Sequence, residues 1–185
     1  MVKMLARALE PFHPLFIEEP VLTENEEALV ELARSTTIPI ATGERLVGIH
    51  AFRDLLEKRA CSVIQPDITH CGGLSEVRRI AALAEAYRVA VAPHNPQGPV
   101  STAASLEFGF ATPGYIICES VQNDVPWRDD VCRESFTVET KGRLVRPGTA
   151  PGLGIEINEA EVAKHPFQQE VPMRTFYKDG SVGDW

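Results

Sequence analysis

Leu15-Phe16-Ile17-Glu18-Glu19-Pro20 and, one helix-like segment later, Ile38-Pro39-Ile40-Ala41-Thr42-Gly43-Glu44 decide the fold of this 185-residue chain. Each is a short apolar run that ends on a carboxylate. Parallel strands cannot be joined by a tight turn and need a crossover, usually a helix, so runs of this kind alternating with helices imply a parallel sheet. In a barrel built this way the C-terminal strand ends converge on one site. Glu18 and Glu44 would then be two hard oxygen ligands on neighbouring strands, a donor type that suits Mg²⁺.

The same pitch extends to both sides. Upstream, Met1 to Leu9 has a helical apolar stripe at Met1, Leu5, Ala8 and Leu9, stopped by Pro11 and Pro14. Between the two quoted runs, Glu24 to Arg34 places Ala28, Leu29, Leu32 and Ala33 on one face, with Thr23 as N-cap and Glu26 three residues on, as in a capping box. Downstream, strands are expected at Ser62–Gln65, Val89–Ala92 and Tyr115–Cys118, and helices over Ile49–Lys58, Leu74–Tyr87 and Val100–Phe108. After Glu119 the pattern changes. A small hairpin is expected from Phe136–Val138 and Leu144–Val145 around Lys141-Gly142, then a Pro/Gly loop over Pro147–Gly154, a short helix over Glu159–Lys164 and a surface tail over His165–Trp185. The division expected is a partial (β/α) barrel over residues 1–120 and an extension over 121–185. Leu144–Ile157 should pack back across the barrel, because it is too short to bury a core of its own.

A formal charge of −8 with no basic block argues against a nucleic-acid or anionic-membrane partner. No apolar run approaches membrane-spanning length, and the N-terminus reads as an amphipathic helix rather than a signal peptide. Cys61, Cys71, Cys118 and Cys132 form no C-x-x-C pair and read as small buried thiols of a cytoplasmic enzyme.

Ionisable residues recur at the strand ends: Glu18, Glu44, Asp67 and Glu119, with His94 at a fifth. Five endings of one kind are hard to ascribe to ordinary solvated loops. Glu19 points the other way if the pleat continues, toward a local salt bridge or cap. Asp67 and His94 end adjacent strands, so a hydrogen bond between them would fix the imidazole tautomer and raise basicity at the other nitrogen, the arrangement of a general base. His70, in the following loop, is the rival histidine, with a surface role or a substrate contact. Gly72-Gly73 lacks the Walker lysine and the dinucleotide spacing, and reads as a tight turn rather than a phosphate cradle.

Phe16-Ile17-Glu18-Glu19-Pro20, Ala41-Thr42-Gly43-Glu44-Arg45, Gln65-Pro66-Asp67 with Gly72-Gly73, and Ala92-Pro93-His94 occur in the order that resembles the barrel domain of the enolase superfamily. Within it the chain is similar to the mandelate racemase subgroup, and most closely to acid-sugar dehydratases of the D-galactonate type. The likeness runs from Met1 to about Val162. It implies the C-terminal part of a modified (β/α)7β barrel, strands four to eight, without the N-terminal capping domain and first strands. It carries the metal-ligand roles to Glu18 and Glu44, the general-base dyad to His94 and Asp67, and a contact to the substrate carboxylate to Glu119. The family's third carboxylate ligand, and the dehydratases' second catalytic histidine, would lie on a strand before Met1.

The resemblance implies a Mg²⁺-dependent hydro-lyase for a small sugar acid. α-Proton abstraction, enediolate stabilisation and loss of the β-hydroxyl would give a 2-keto-3-deoxy acid. Impaired activity is expected of this chain alone; racemase or epimerase chemistry, or a silent fragment that associates with another copy or a missing half, are the alternatives. The unpaired strand edges make a homo-oligomer the expected state.

Overall fold

Four of the apolar runs form one parallel sheet in sequence order: β1 (Ile17–Glu18), β2 (Ile40–Thr42), β3 (Val63–Ile64) and β4 (Ala90–Val91). The computed structural model describes residues 1–121, 124–134, 138–139, 142–144, 150–169 and 175–183. Each β strand is followed by a helix, α2 (Glu26–Ala33), α3 (Gly48–Glu57), α4 (Gly73–Ala86) and α5 (Pro99–Phe110), and α1 (Val2–Leu9) precedes β1. The register pairs Glu18 with Ala41, Ala41 with Val63 and Val63 with Ala90. The fifth expected strand, Tyr115–Cys118, is reduced to a single parallel bridge between Tyr115 and Val91. Only Gly114 O and Ile116 N reach the β4 backbone, while Ile116 and Ile117 stay exposed at the sheet edge.

The period of two along each strand divides the sheet into two faces. Ile17, Ile40, Ile64 and Val91 point outward into the main core, where they meet Leu29 and Leu32 of α2, Phe52, Leu55 and Leu56 of α3, Val77 and Ile80 of α4, and Phe108 of α5. Ala41, Val63 and Ala92, with Phe16 and Ala90 against them, form a smaller layer on the inner face. This is the layered architecture of a barrel, with a packed interior below the strand ends.

Local chemistry sets the helix ends. α2 starts two residues later than its sequence suggests: the Asn25 side chain, not Thr23, caps it by accepting from Ala28 N at 3.2 Å. Neither residue type is at fault, since both are good caps, but Asn25 sits next to the first residue whose amide is left over. α3 has no cap of its own at Val47. Glu76 of α4 supplies one, accepting from Ile49 N at 2.8 Å while also pairing with Arg79 at 2.6 Å. Glu10 similarly accepts from Thr37 N at 3.0 Å and ties the end of α1 to the approach to β2.

α5 is buried on nearly every side, from Ser101 to Leu106 and at Phe108. Two neighbours account for this: Leu153 and Ile155 of the extension pack against Ala103 and Leu106, and Asn95 bonds Ser101 and Thr102. A bridge between Cys132 and Ile157 and hydrogen bonds from Arg133 N to Glu156 O and Asn158 N to Val131 O hold that segment together. Beyond it lies α6 (Glu159–Val162), capped by Asn158. Of the expected hairpin, β5 (Val138–Glu139) and β6 (Arg143–Leu144) are present and antiparallel, whereas Phe136, Thr137, Lys141, Val145 and residues 147–149 of the Pro/Gly loop lie outside the described residues. A second hairpin, β7 (Thr175–Phe176) with β8 (Val182–Gly183), gives the exposed tail a regular element that its composition did not announce. Among the described residues no helix is long and apolar enough to cross a membrane. All four cysteines are free thiols, and burial pushes Cys61 up to about 12 and, first among its causes, Cys71 up to about 11.

Gly43 links the fold to the strand ends. Its φ is +134°, and a Cβ there would lie 2.8 Å from Phe52 Cε1 and 3.1 Å from Gln65 N. Strict alternation from inward Ala41 would aim Glu44 outward; this left-handed turn at Gly43 reverses that. Gly43→Ala should therefore cost about 2–3 kcal/mol of stability in urea unfolding, from backbone strain and overpacking together. A variant as stable as the parent would show that the backbone at this position is relaxed.

Candidate active site

The register that aligns β1 to β4 brings their C-terminal ends to one side, and the expected residues do gather there. Asp67 follows β3 and is fully buried. A tight turn closes behind it, with His70 N and Cys71 N donating to its carbonyl at 3.1 and 2.7 Å, and Gly72 and Gly73 at φ +121° and +83° leading into α4. Its carboxylate is saturated. Oδ1 accepts from Thr69 N at 2.7 Å and Thr69 Oγ1 at 2.6 Å. Oδ2 meets His94 Nδ1 at 2.8 Å and accepts from Gln97 Nε2 at 2.5 Å. Burial raises the Asp67 pKa, but the hydrogen bonds from Thr69 and His94 outweigh it and hold the group below the usual carboxylate range.

With Nδ1 committed to Asp67, the other imidazole nitrogen of His94 is the one available for proton transfer. It lies 3.5 Å from Glu44 Oε2, and the ring is 16% exposed. The sequence pairing of Asp67 with His94 is thus present as a direct contact. His70 is different: its ring is 55% exposed, its Nδ1 stands 3.6 Å from Asp67 Oδ2, beyond a hydrogen bond, and its centroid is 6.5 Å from that of His94. His165 lies far along the chain, stacked on Trp127 and hydrogen-bonded to Glu161.

Glu18, Glu19, Glu44 and Arg45 line one cavity of about 620 Å³, together with Met1 and Tyr177. The Glu44 carboxyl is pushed up, first by burial, with Glu19 and Glu18 adding repulsion and His94 opposing them. Glu19 leaves the extended pleat at φ +36° and makes the expected local salt bridge, with Arg45 at 3.3 Å, while still lining the cavity beside Glu18. Among the described residues no three His, Cys, Asp or Glu side chains converge as a ligand set. What remains is two carboxylates from β1 and the β2 end, repelling one another across this cavity, with Glu18 held by an amide. That donor set fits a hard divalent cation whose other positions are taken by water or substrate oxygens.

Glu119 joins the site without a strand beneath it. Its Oε2 accepts from Asn95 N at 2.8 Å, and its carbonyl accepts from Asn95 Nδ2 at 2.9 Å. Asn95 is fully buried and is itself held by Ser101 Oγ at 2.7 Å. Together with Phe16, Glu18, Gln65 and Ala92, Glu119 lines a second cavity of about 210 Å³ on the inner face. Four site residues were not singled out from the sequence. Asn95 and Gln97 lie in the loop after His94, where two amides among prolines are a visible signal. Gln65 is the polar residue at an inward strand position. Arg128 is beyond reach of any local pattern: buried in the extension, it chelates Asp124 at 2.9 Å and donates to the Gln97 carbonyl.

Parallel strands with helical crossovers, a carboxylate pair on the first two strand ends and a His–Asp pair on the next two define the C-terminal barrel of an enolase-type protein. The chain belongs to the family described as Enolase C-terminal domain-like, which matches residues 1–161. It is 40% identical over its full length to a D-galactonate dehydratase of Ralstonia nicotianae, covering 50% of that protein, and 39% identical to one of Variovorax paradoxus, again over 50% of it. Among solved structures, an enolase of Agrobacterium radiobacter with bound sodium and L-malate superposes with a TM-score of 0.90 at 34% identity, over 98% of this chain and 49% of that one. A mandelate racemase/muconate lactonizing enzyme-like protein of Roseovarius sp. TM1035 gives 0.84 at 39% identity, over 91% and 41%. The chain spans about half the length of the curated relatives it matches.

The raised Glu44 pKa has a definite sign. Below its unfolded value, about 4.3, the carboxyl is neutral in both states and costs nothing. As pH rises through that value and then through the folded one, the buried charge destabilises the chain. Glu44→Gln should therefore raise the melting temperature of chelator-treated protein at pH 7 and leave it little changed near pH 4. A stabilisation equal at both pH values would show that charge is not its source.

Proposed function

We propose that this chain carries the proton-transfer and part of the metal-binding machinery of a Mg²⁺-dependent acid-sugar dehydratase acting on galactonate-like aldonates. The observation that supports this most directly is the His94–Asp67 contact, which leaves one imidazole nitrogen facing Glu44. The similarity to D-galactonate dehydratases supports the substrate class.

The reaction requires removal of a proton α to a carboxylate, from a carbon acid much weaker than imidazolium. His94 takes that proton at Nε2, and Asp67 holds the ring so that Nδ1 keeps its hydrogen and the resulting positive charge is balanced. Thr69 and Gln97 keep the Asp67 carboxylate from rotating. Glu119, steadied by Asn95, contacts the substrate carboxylate region. Glu18 and Glu44 would hold a Mg²⁺ ion, which would supply charge stabilisation at the substrate carboxylate that a side chain alone does not. The proton held at His94 Nε2 passes to the β-hydroxyl, which departs as water, and the enol left behind tautomerises to a 2-keto-3-deoxy acid.

Two measurements test this reading. With two protein carboxylates, Mg²⁺ binding to this chain should be weak in calorimetric titration and should vanish in Glu18→Gln plus Glu44→Gln; tight stoichiometric binding that survives both changes would place the metal elsewhere. Incubation with a panel of aldonates and Mg²⁺ should form 2-keto-3-deoxy acid, and His94→Asn should lower the rate by about two to four orders of magnitude. A product epimerised at the α-carbon, with no water lost, would replace the dehydratase reading with racemisation. A wild-type rate no greater than that of His94→Asn would remove the catalytic reading of this chain.

A further inference from the structure

Two buried side-chain atoms among the described residues have no hydrogen-bond partner: Ser105 Oγ inside α5, and Gln65 Oε1 on the inner face of the sheet. Gln65 is 4% exposed and directly follows β3. Its backbone N donates to Thr42 O at 2.9 Å, so its position is fixed by the sheet. From there the side chain reaches across the inner face, past β2, and Nε2 donates to Glu18 Oε1 at 2.5 Å. The amide orientation is compelled, because the reverse would set its oxygen against a carboxylate. Packing alone does not explain this residue. Leucine or methionine would fill the same space without stranding a buried acceptor. The contact with Glu18 does explain it.

We propose that Gln65 is a positioning residue for the divalent-cation site, holding Oε1 of Glu18 so that Oε2 is the oxygen presented beside Glu44. The proposal rests on the reading of Glu18 and Glu44 as metal ligands. Glu18 ends β1 at the edge of the described sheet and is itself exposed, so the packing around it restrains its carboxylate little. A hydrogen bond from a buried, backbone-anchored amide supplies that restraint, and its dipole offsets part of the repulsion among Glu18, Glu19 and Glu44. Partners of this kind orient metal-binding side chains, and their loss weakens metal binding by factors on the order of 10–100.

The test uses Mn²⁺ as probe and counts free ion by electron paramagnetic resonance up to millimolar concentrations. The proteins are the full chain, Gln65→Leu, Glu18→Gln and the double variant. Gln65→Leu should bind at least about tenfold more weakly than the parent. In the Glu18→Gln background the same change should have no further effect, since the group it positions is gone. A purely structural role would weaken binding in both backgrounds. Equal affinity for the parent and Gln65→Leu, or equal losses in both backgrounds, overturns the proposal and leaves the metal site standing. Absence of Mn²⁺ binding in the parent overturns both. Gln65→Met, which keeps the volume and the unbranched shape, provides the same comparison should Gln65→Leu fail to fold.

Discussion

Everything at the candidate site hangs from the register of a short parallel sheet. Its ladders are brief, with two paired positions between each neighbouring pair of strands. Taken alone they are too short to hold their own alignment. The alignment comes from the outer face, where one layer of branched side chains, Ile17, Ile40, Ile64 and Val91, locks into α2 to α5. A slip by one residue would turn this layer inward and expose the helices. Because the slip is forbidden, Glu18, Asp67 and His94 leave their strands on the same side and at comparable height. The candidate site on the inner face is thus aligned by packing on the outer one.

The sequence announced the elements with strong periodicity and the residues at their ends. Apolar runs separated by amphipathic helices gave the strand order, and Asp67 with His94 followed from adjacency. The signal failed where the cause is not local. Tyr115–Cys118 has the composition of a strand, yet among the described residues no strand pairs with its outer side and the segment makes only a bridge. Asn25 displaced Thr23 as a cap because both types compete for one task and only geometry decides between them. Arg128 reaches the loop after His94 from 31 residues away, a distance at which no spacing rule applies.

The site is electrostatically unfinished in a specific way. Its basic half is complete: Asp67 has four donors and His94 has its partner. Its acidic half is not, since Glu18, Glu19 and Glu44 share a cavity with Arg45 as the cation paired to one of them. Burial comes first among the causes of the raised Glu44 pKa, and repulsion from Glu19 and Glu18 adds to it. The two halves meet at the 3.5 Å approach of His94 to Glu44, so a change in charge on either side is felt by the other.

Trp127 is stacked on His165 with ring centroids 3.9 Å apart and planes 14° from parallel. It precedes Arg128, the residue that grips the Gln97 carbonyl, and so belongs to the segment that fastens the loop carrying His94. An indole in van der Waals contact with an imidazole loses excited-state lifetime by electron transfer, and regains it when the rings part. Both rings belong to the extension, so the emission of Trp127, read in a Trp185→Phe background, reports whether the segment that carries Arg128 stays stacked on the one that follows α6.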